Sequence, residues 1–72
     1  MNKKPNEIHI TTEYITLGQF LKLADIIQSG GEAKSYLAQN VVLVNGEIDN
    51  RRGRKLRSGD MVEINKTVYW IN

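Results

Sequence analysis

The sequence predicts a small α+β domain in which two packed helices lie on a small, largely antiparallel β-sheet, in the order β-α-α-β-β-β. Three observations predict it. Apolar residues first alternate, then recur at helical spacing, then return in short β-branched runs. Asn45-Gly46 stands between two such runs, the strongest short-range signal for a β-hairpin. Seventy-two residues, 40% of them apolar, suffice for one compact core and leave no room for a second domain.

Met1 to Asn6 carries Lys3, Lys4 and Pro5 with no apolar stretch, so residues 1–6 are expected to be disordered. From Glu7, one face of an extended segment carries Ile8, Ile10, Thr12 and Tyr14, and the other His9, Thr11 and Glu13, which reads as a strand at a sheet edge. Thr16 with Gln19 three residues on forms a capping-box pattern, which starts a helix by satisfying its free N–H groups. Leu17, Phe20, Leu21, Ala24 and Ile27 make its apolar stripe, broadened by Leu23 and Ile26, and Gly30-Gly31 stops it. A shorter helix follows over 32–39, with Ala33, Tyr36 and Leu37 inward and Asn40 as a left-handed stop. So short a connection packs the two helices together. Val41 to Val44 and Glu47-Ile48 then form the hairpin, 49–54 a polar loop, Ser58-Gly59-Asp60 a turn, and 61–64 and 67–71 two last strands joined at Asn65-Lys66. In the last strand Val68 and Trp70 face one way and Tyr69 and Ile71 the other, with Trp70 expected in the core.

Composition narrows the function. There is no cysteine, which excludes disulfides and thiolate metal sites. The longest apolar run, Val41 to Val44, falls far short of the ~20 residues that span a bilayer. The amino terminus has no secretory pattern, so a cytoplasmic protein is expected. His9 is the single histidine and has no cysteine or carboxylate cluster near it in sequence. Glu47, Asp49 and Asp60 are explained by hairpin and turn positions, and 53–59 lacks the order of a phosphate-binding loop. No catalytic constellation, metal site or cofactor loop emerges, so a non-enzymatic protein without cofactor is expected.

Charge is distributed unevenly. The net charge is +2, yet residues 51–57 carry Arg51, Arg52, Arg54, Lys55 and Arg57 with no acid, while the other 65 residues sum to −3. Such a concentration repels itself and attracts a polyanion. Nucleic acid is favoured over a membrane surface, because no basic amphipathic helix accompanies the cluster. Arginine, which outnumbers lysine four to one here, favours planar two-point contacts to phosphate and stacking on bases. Gly53 leaves backbone N–H groups open to a phosphate.

The residues from Leu17 to Ile64 resemble the S4 RNA-binding domain, found in a small-subunit ribosomal protein, in pseudouridine synthases and in a bacterial tyrosyl-tRNA synthetase. Leu17, Phe20 and Leu21, then Ala33-Lys34 with Leu37, then Val42 to Glu47, and then Ser58 to Val62 stand in the family's order. The stretches at 16–23 and 50–56 are similar to those of short stand-alone bacterial members, the YaaA-like group. The resemblance implies an S4-type fold, RNA as ligand, and the bacterial ribosome or its precursors as setting. It also implies contacts from the second helix, which makes Lys34 a better candidate than Lys22. Ser35 and Gln39 are candidates for sugar or phosphate hydrogen bonds. Many members carry Ser-Arg before that helix where this chain has Gly30-Gly31-Glu32, and the cluster at 51–57 takes the place of that basic contact.

The expected RNA-binding residues are therefore Lys34, Ser35, Arg51, Arg52, Arg54, Lys55 and Arg57, in a monomer that binds structured ribosomal RNA and takes no small-molecule substrate. Tyr14, Phe20, Tyr36, Tyr69 and Trp70 are aromatic rings that can stack on unpaired bases, but Phe20 and Tyr36 fall on core stripes. The alternative is an adaptor that docks an acidic protein through the basic loop and an apolar edge around Tyr69 and Ile71.

Overall fold

A computed structural model describes residues 6–72. Most of the expectation for residues 1–6 lies outside them, but Asn6 is already in a strand. Strands β1 (Asn6–Ile8) and β2 (Ile15–Thr16) precede helix α1 (Leu17–Leu23), and a 3-10 turn (Gly30–Glu32) leads into helix α2 (Ala33–Gln39). Strands β3 (Val42–Val44), β4 (Glu47–Ile48), β5 (Lys55–Leu56), β6 (Met61–Ile64) and β7 (Thr67–Ile71) complete the chain.

The main sheet has the order β1-β7-β6-β3-β4, with β1 alongside β7 in parallel and the other pairs antiparallel. The edge position expected for the first strand is observed. The single strand expected over 7–14 is not: it breaks after Ile8, and Ile15–Thr16 pairs with β5 in a separate two-stranded ribbon. Ile8 and Ile10 pack against the core as the alternation expects, but Tyr14, read on the same face, is exposed and Ile15 is buried in its place.

Phe20, Leu17 and Leu21 of α1, Ala33 and Leu37 of α2, and Val42, Val44, Val62, Ile64 and Ile71 of the sheet form one buried core. Full burial of each large apolar side chain contributes about 1.5–3 kcal/mol. Ile15 and Leu56, directly opposite each other, point into the same core from the ribbon.

Three expectations about packing need correction. Helix α1 ends at Leu23 rather than running to Gly30-Gly31. Asp25 takes the left-handed conformation at φ 62°, its N–H donates to the Lys22 carbonyl at 3.0 Å, and the Ile26 N–H donates to the Leu21 carbonyl at 2.9 Å. That pair of bonds closes a helix C-terminus, with an aspartate where glycine is usual. Leu23, on the final turn, is consequently 58% exposed. The glycine pair opens the 3-10 turn, where the Glu32 carboxylate accepts from the Gln28 and Ser29 N–H groups at 2.6 and 3.0 Å. Asn40 is extended (φ −131°) rather than left-handed, and ends α2 by donating its side-chain amide to the Tyr36 carbonyl at 2.9 Å.

Trp70 is the third correction. It is 41% exposed, because Tyr69 and Ile71 are the residues of β7 that face the helices. Tyr69 meets Phe20 edge-to-face at 5.2 Å, an arrangement that ring quadrupoles favour. The apolar edge expected around Tyr69 and Ile71 is therefore absent: Ile71 is buried, and β1 covers that side of β7.

The hairpin at Asn45-Gly46 forms as expected, with φ of 51° and 88° suited to those residues. Asn45 also accepts from the Met61 N–H at 2.9 Å and donates to Asp60 at 3.1 Å, so the turn is tied to β6 and to the end of the basic region.

Candidate functional site

The basic segment is fastened to the domain at several points. Asp49, nearly buried, accepts from the Arg51 N–H (2.9 Å), Nε (3.0 Å) and Nη2 (2.7 Å), and from Arg54 Nη1 (2.8 Å). Its carboxyl is held well below the usual carboxylate range, chiefly by the Arg51 side-chain bonds, against the opposing effect of burial. Arg51, in turn, has its guanidinium pKa raised by the same bonds. At the other end of the segment, the Asp60 carboxylate accepts from the Arg57 N–H at 2.8 Å.

Helix α1 supplies the third fastening. Its first N–H groups have no partners within the helix. Leu17 N–H donates to the Arg54 carbonyl at 2.8 Å, Gly18 N–H to the Arg52 carbonyl at 2.9 Å, and Gln19 N–H to Thr16 Oγ1 at 3.2 Å. The Gln19 side chain completes the predicted capping box by accepting from Thr16 N–H at 2.8 Å. The loop backbone is thus docked on the electropositive end of the helix by its carbonyls, through bonds that use none of the arginine side chains. The loop passes close to Gly18: a Cβ there would lie in ordinary van der Waals contact, 3.4 Å from the Arg52 carbonyl oxygen and 3.5 Å from the Ala33 Cβ.

The predicted residues divide into groups. Arg51, Arg54, Lys55 and Arg57 line one shallow open cleft with Gly53 and Asp60. Arg52 lines a neighbouring groove with Gly18, Lys22, Gly30 and Ala33. Gly53 borders both, and a Cβ there would meet nothing within 4 Å. Lys34 is exposed and lines neither the arginine cleft nor the Arg52 groove. Ser35 and Gln39 lie elsewhere, in a groove with Ile26, Ile27 and Tyr36 that contains none of the arginines. Two carboxylates against five cations leave the segment from Asp49 to Asp60 with a net charge of +3.

A model of the S4 domain family matches residues 8–72. The chain belongs to the S4 domain family. A relative, the probable ribosome maturation protein RlbA of Bacillus subtilis (strain 168), is 71% identical over 59 residues, which cover 82% of this chain and 83% of that protein. Within this S4 domain, the resemblance read from the sequence blocks is thus shown, and so is the small α+β fold with two helices on a mixed sheet.

Three residues that shape the S4 surface are missed by reading the sequence alone. Asp49 reads there as a hairpin residue, yet it positions Arg51 and Arg54. Lys22 ranks below Lys34 on the family pattern, but it lines the groove of Arg52. Tyr14 is one aromatic among five, yet Lys55 Nζ lies 4.9 Å and Arg57 Cζ 5.7 Å from its ring centroid. The placements of Tyr14 and Lys22 join residues distant in sequence, whereas Asp49 meets arginines two and five positions on, so its spacing is a local hint. Among the described residues, no group of three His, Cys, Asp or Glu side chains is placed to hold a metal ion, and no helix is long and apolar enough to cross a membrane.

Proposed function

We propose that this protein is a non-catalytic RNA-binding protein that grips structured ribosomal RNA, on ribosomal particles or their precursors. The observation that carries the reading is the fastened basic loop. Four cations share one cleft and a fifth lines the adjoining groove, held by Asp49, Asp60 and the end of α1. A preorganised cluster loses less conformational freedom on binding than a loose one, so more of its attraction for phosphate emerges as affinity. Membership of the S4 family and the name of the bacterial relative support the ribosomal setting.

In this reading Arg52, Lys55 and Arg57 supply phosphate contacts directly. Arg51 and Arg54 combine phosphate contact with their bonds to Asp49. Lys22 extends the track from α1, Lys34 adds an exposed cation on α2, and Ser35 stands outside the track. The net charge of the segment and its full set of cations bracket the phosphates neutralised at roughly three to five. At about −0.7 per phosphate for single-stranded RNA, log affinity should fall with log salt at a slope of roughly −2 to −3.5.

The test must leave Asp49 paired, because charge reversal at Arg51 or Arg54 would set a second carboxylate beside it. The triple variant Arg52→Ala, Lys55→Ala and Arg57→Ala should fold, bind ribosomal RNA far more weakly in a filter-binding titration, and lose about 2 from the salt slope. A folded triple variant with unchanged affinity and slope would remove the reading.

A further inference from the structure

The ribbon of β2 and β5 has two unlike faces. Ile15 pairs with Leu56 and Thr16 with Lys55. The antiparallel register therefore sets Tyr14 beside Arg57, one position beyond the last paired residues. Side chains alternate along a strand, so Ile15 and Leu56 enter the core while Tyr14, Thr16, Lys55 and Arg57 share the outer side. Tyr14 takes no part in the core and remains 37% exposed. Tyr14 lines an open, mainly apolar groove with Ile15 and exposed Leu23, and Glu13 and Lys22 put one charge of each sign on the same lining.

This groove is continuous with the basic surface. Thr16, Gln19 and Lys22 also line the groove of Arg52, which shares Gly53 with the cleft of Arg54, Lys55 and Arg57. An aromatic ring with two cations lying over it, beside a mainly apolar slot, is complementary to a nucleotide: anionic at phosphate, flat and apolar at the base faces. A base inside a duplex is already stacked on both faces and has none to offer.

We propose that Tyr14 is a stacking platform for an unpaired RNA base, received in the groove between Tyr14 and Leu23 while Lys55 and Arg57 hold the adjoining phosphate. The inference rests on the RNA-binding reading and adds to it a ligand class: RNA in which a single-stranded or bulged nucleotide adjoins the gripped backbone. Stacking tolerates every base, so the site selects for an unpaired nucleotide rather than for a sequence.

The test uses the full chain and two short RNA hairpins, one carrying a single bulged 2-aminopurine and one fully paired along its stem. The wild-type protein should bind the bulged hairpin about tenfold more tightly and quench its fluorescence. Tyr14→Phe should preserve both effects. Tyr14→Leu, which keeps an apolar side chain but removes the π-face, should abolish both, so that it binds the bulged hairpin no more tightly than the paired one. Wild-type protein that binds both hairpins equally and leaves the fluorescence unchanged would overturn the stacking site while sparing the RNA-binding reading. Failure of the wild type to bind either hairpin would overturn both.

Discussion

Replacing Asp49 by asparagine should destabilise the domain through the loop that carries the arginines. The amide would keep the shape and one carbonyl, but lose the charge and turn an NH2 group toward guanidinium donors. Asp49 accepts one bond from the Arg51 backbone and three from guanidinium nitrogens. Hydrogen bonds to charged groups contribute about 1.5–3 kcal/mol each when well buried. The Arg51 side chain is 69% exposed and regains water when released, so its bonds add little. Arg54, with its side chain 29% exposed, retains more. The net loss should be about 1–2 kcal/mol, which lowers the melting temperature of a domain this small by roughly 5–15 °C. Thermal melts followed by circular dichroism at neutral pH measure it.

The same residue has an acid signature. Its carboxyl is more acidic in the folded state than in the unfolded chain, where an aspartate titrates near about 3.9. Its contribution is therefore fully present above that value and is lost as pH falls through the lower folded value. Wild type and Asp49→Asn should differ at pH 7 and converge on acidification below about pH 4. A variant that melts with wild type at pH 7, or a gap that persists undiminished into strong acid, would refute the role assigned to Asp49.

Two further predictions concern the scaffold. Asp25 at φ 62° and Lys66 at φ 66° occupy a left-handed conformation that glycine adopts without steric cost, so Asp25→Gly and Lys66→Gly should each raise stability by about 0.5–1 kcal/mol in urea titrations. For Asp25 the gain is reduced slightly by loss of its 3.3 Å bond from Gln28 Nε2. The Glu32 carboxyl is held below its ordinary value by the Gln28 and then the Ser29 backbone N–H, so Glu32→Ala should remove hydrogen-exchange protection from those two amides. Acidification through the lowered Glu32 value should do the same in wild type.

The sequence determined by itself whatever depends on near neighbours. The Thr16–Gln19 capping box, the Asn45-Gly46 hairpin, the turn closed by Asp60 and the apolar stripe Leu17, Phe20 and Leu21 are each set by residues within a few positions, and each formed as expected. The end of α1 was illegible because an aspartate fills a place where glycine gives the usual signal. Tertiary structure decided the long-range pairings: β1 against β7, Tyr69 rather than Trp70 toward Phe20, and the loop at 52–54 against the start of α1. It also turned a run of basic residues into an arranged surface, because a carboxylate buried at Asp49 and a ring left exposed at Tyr14 set where those charges stand. Which face of a strand is buried, and which partner satisfies a free N–H, are settled by competition across the whole chain for one small core.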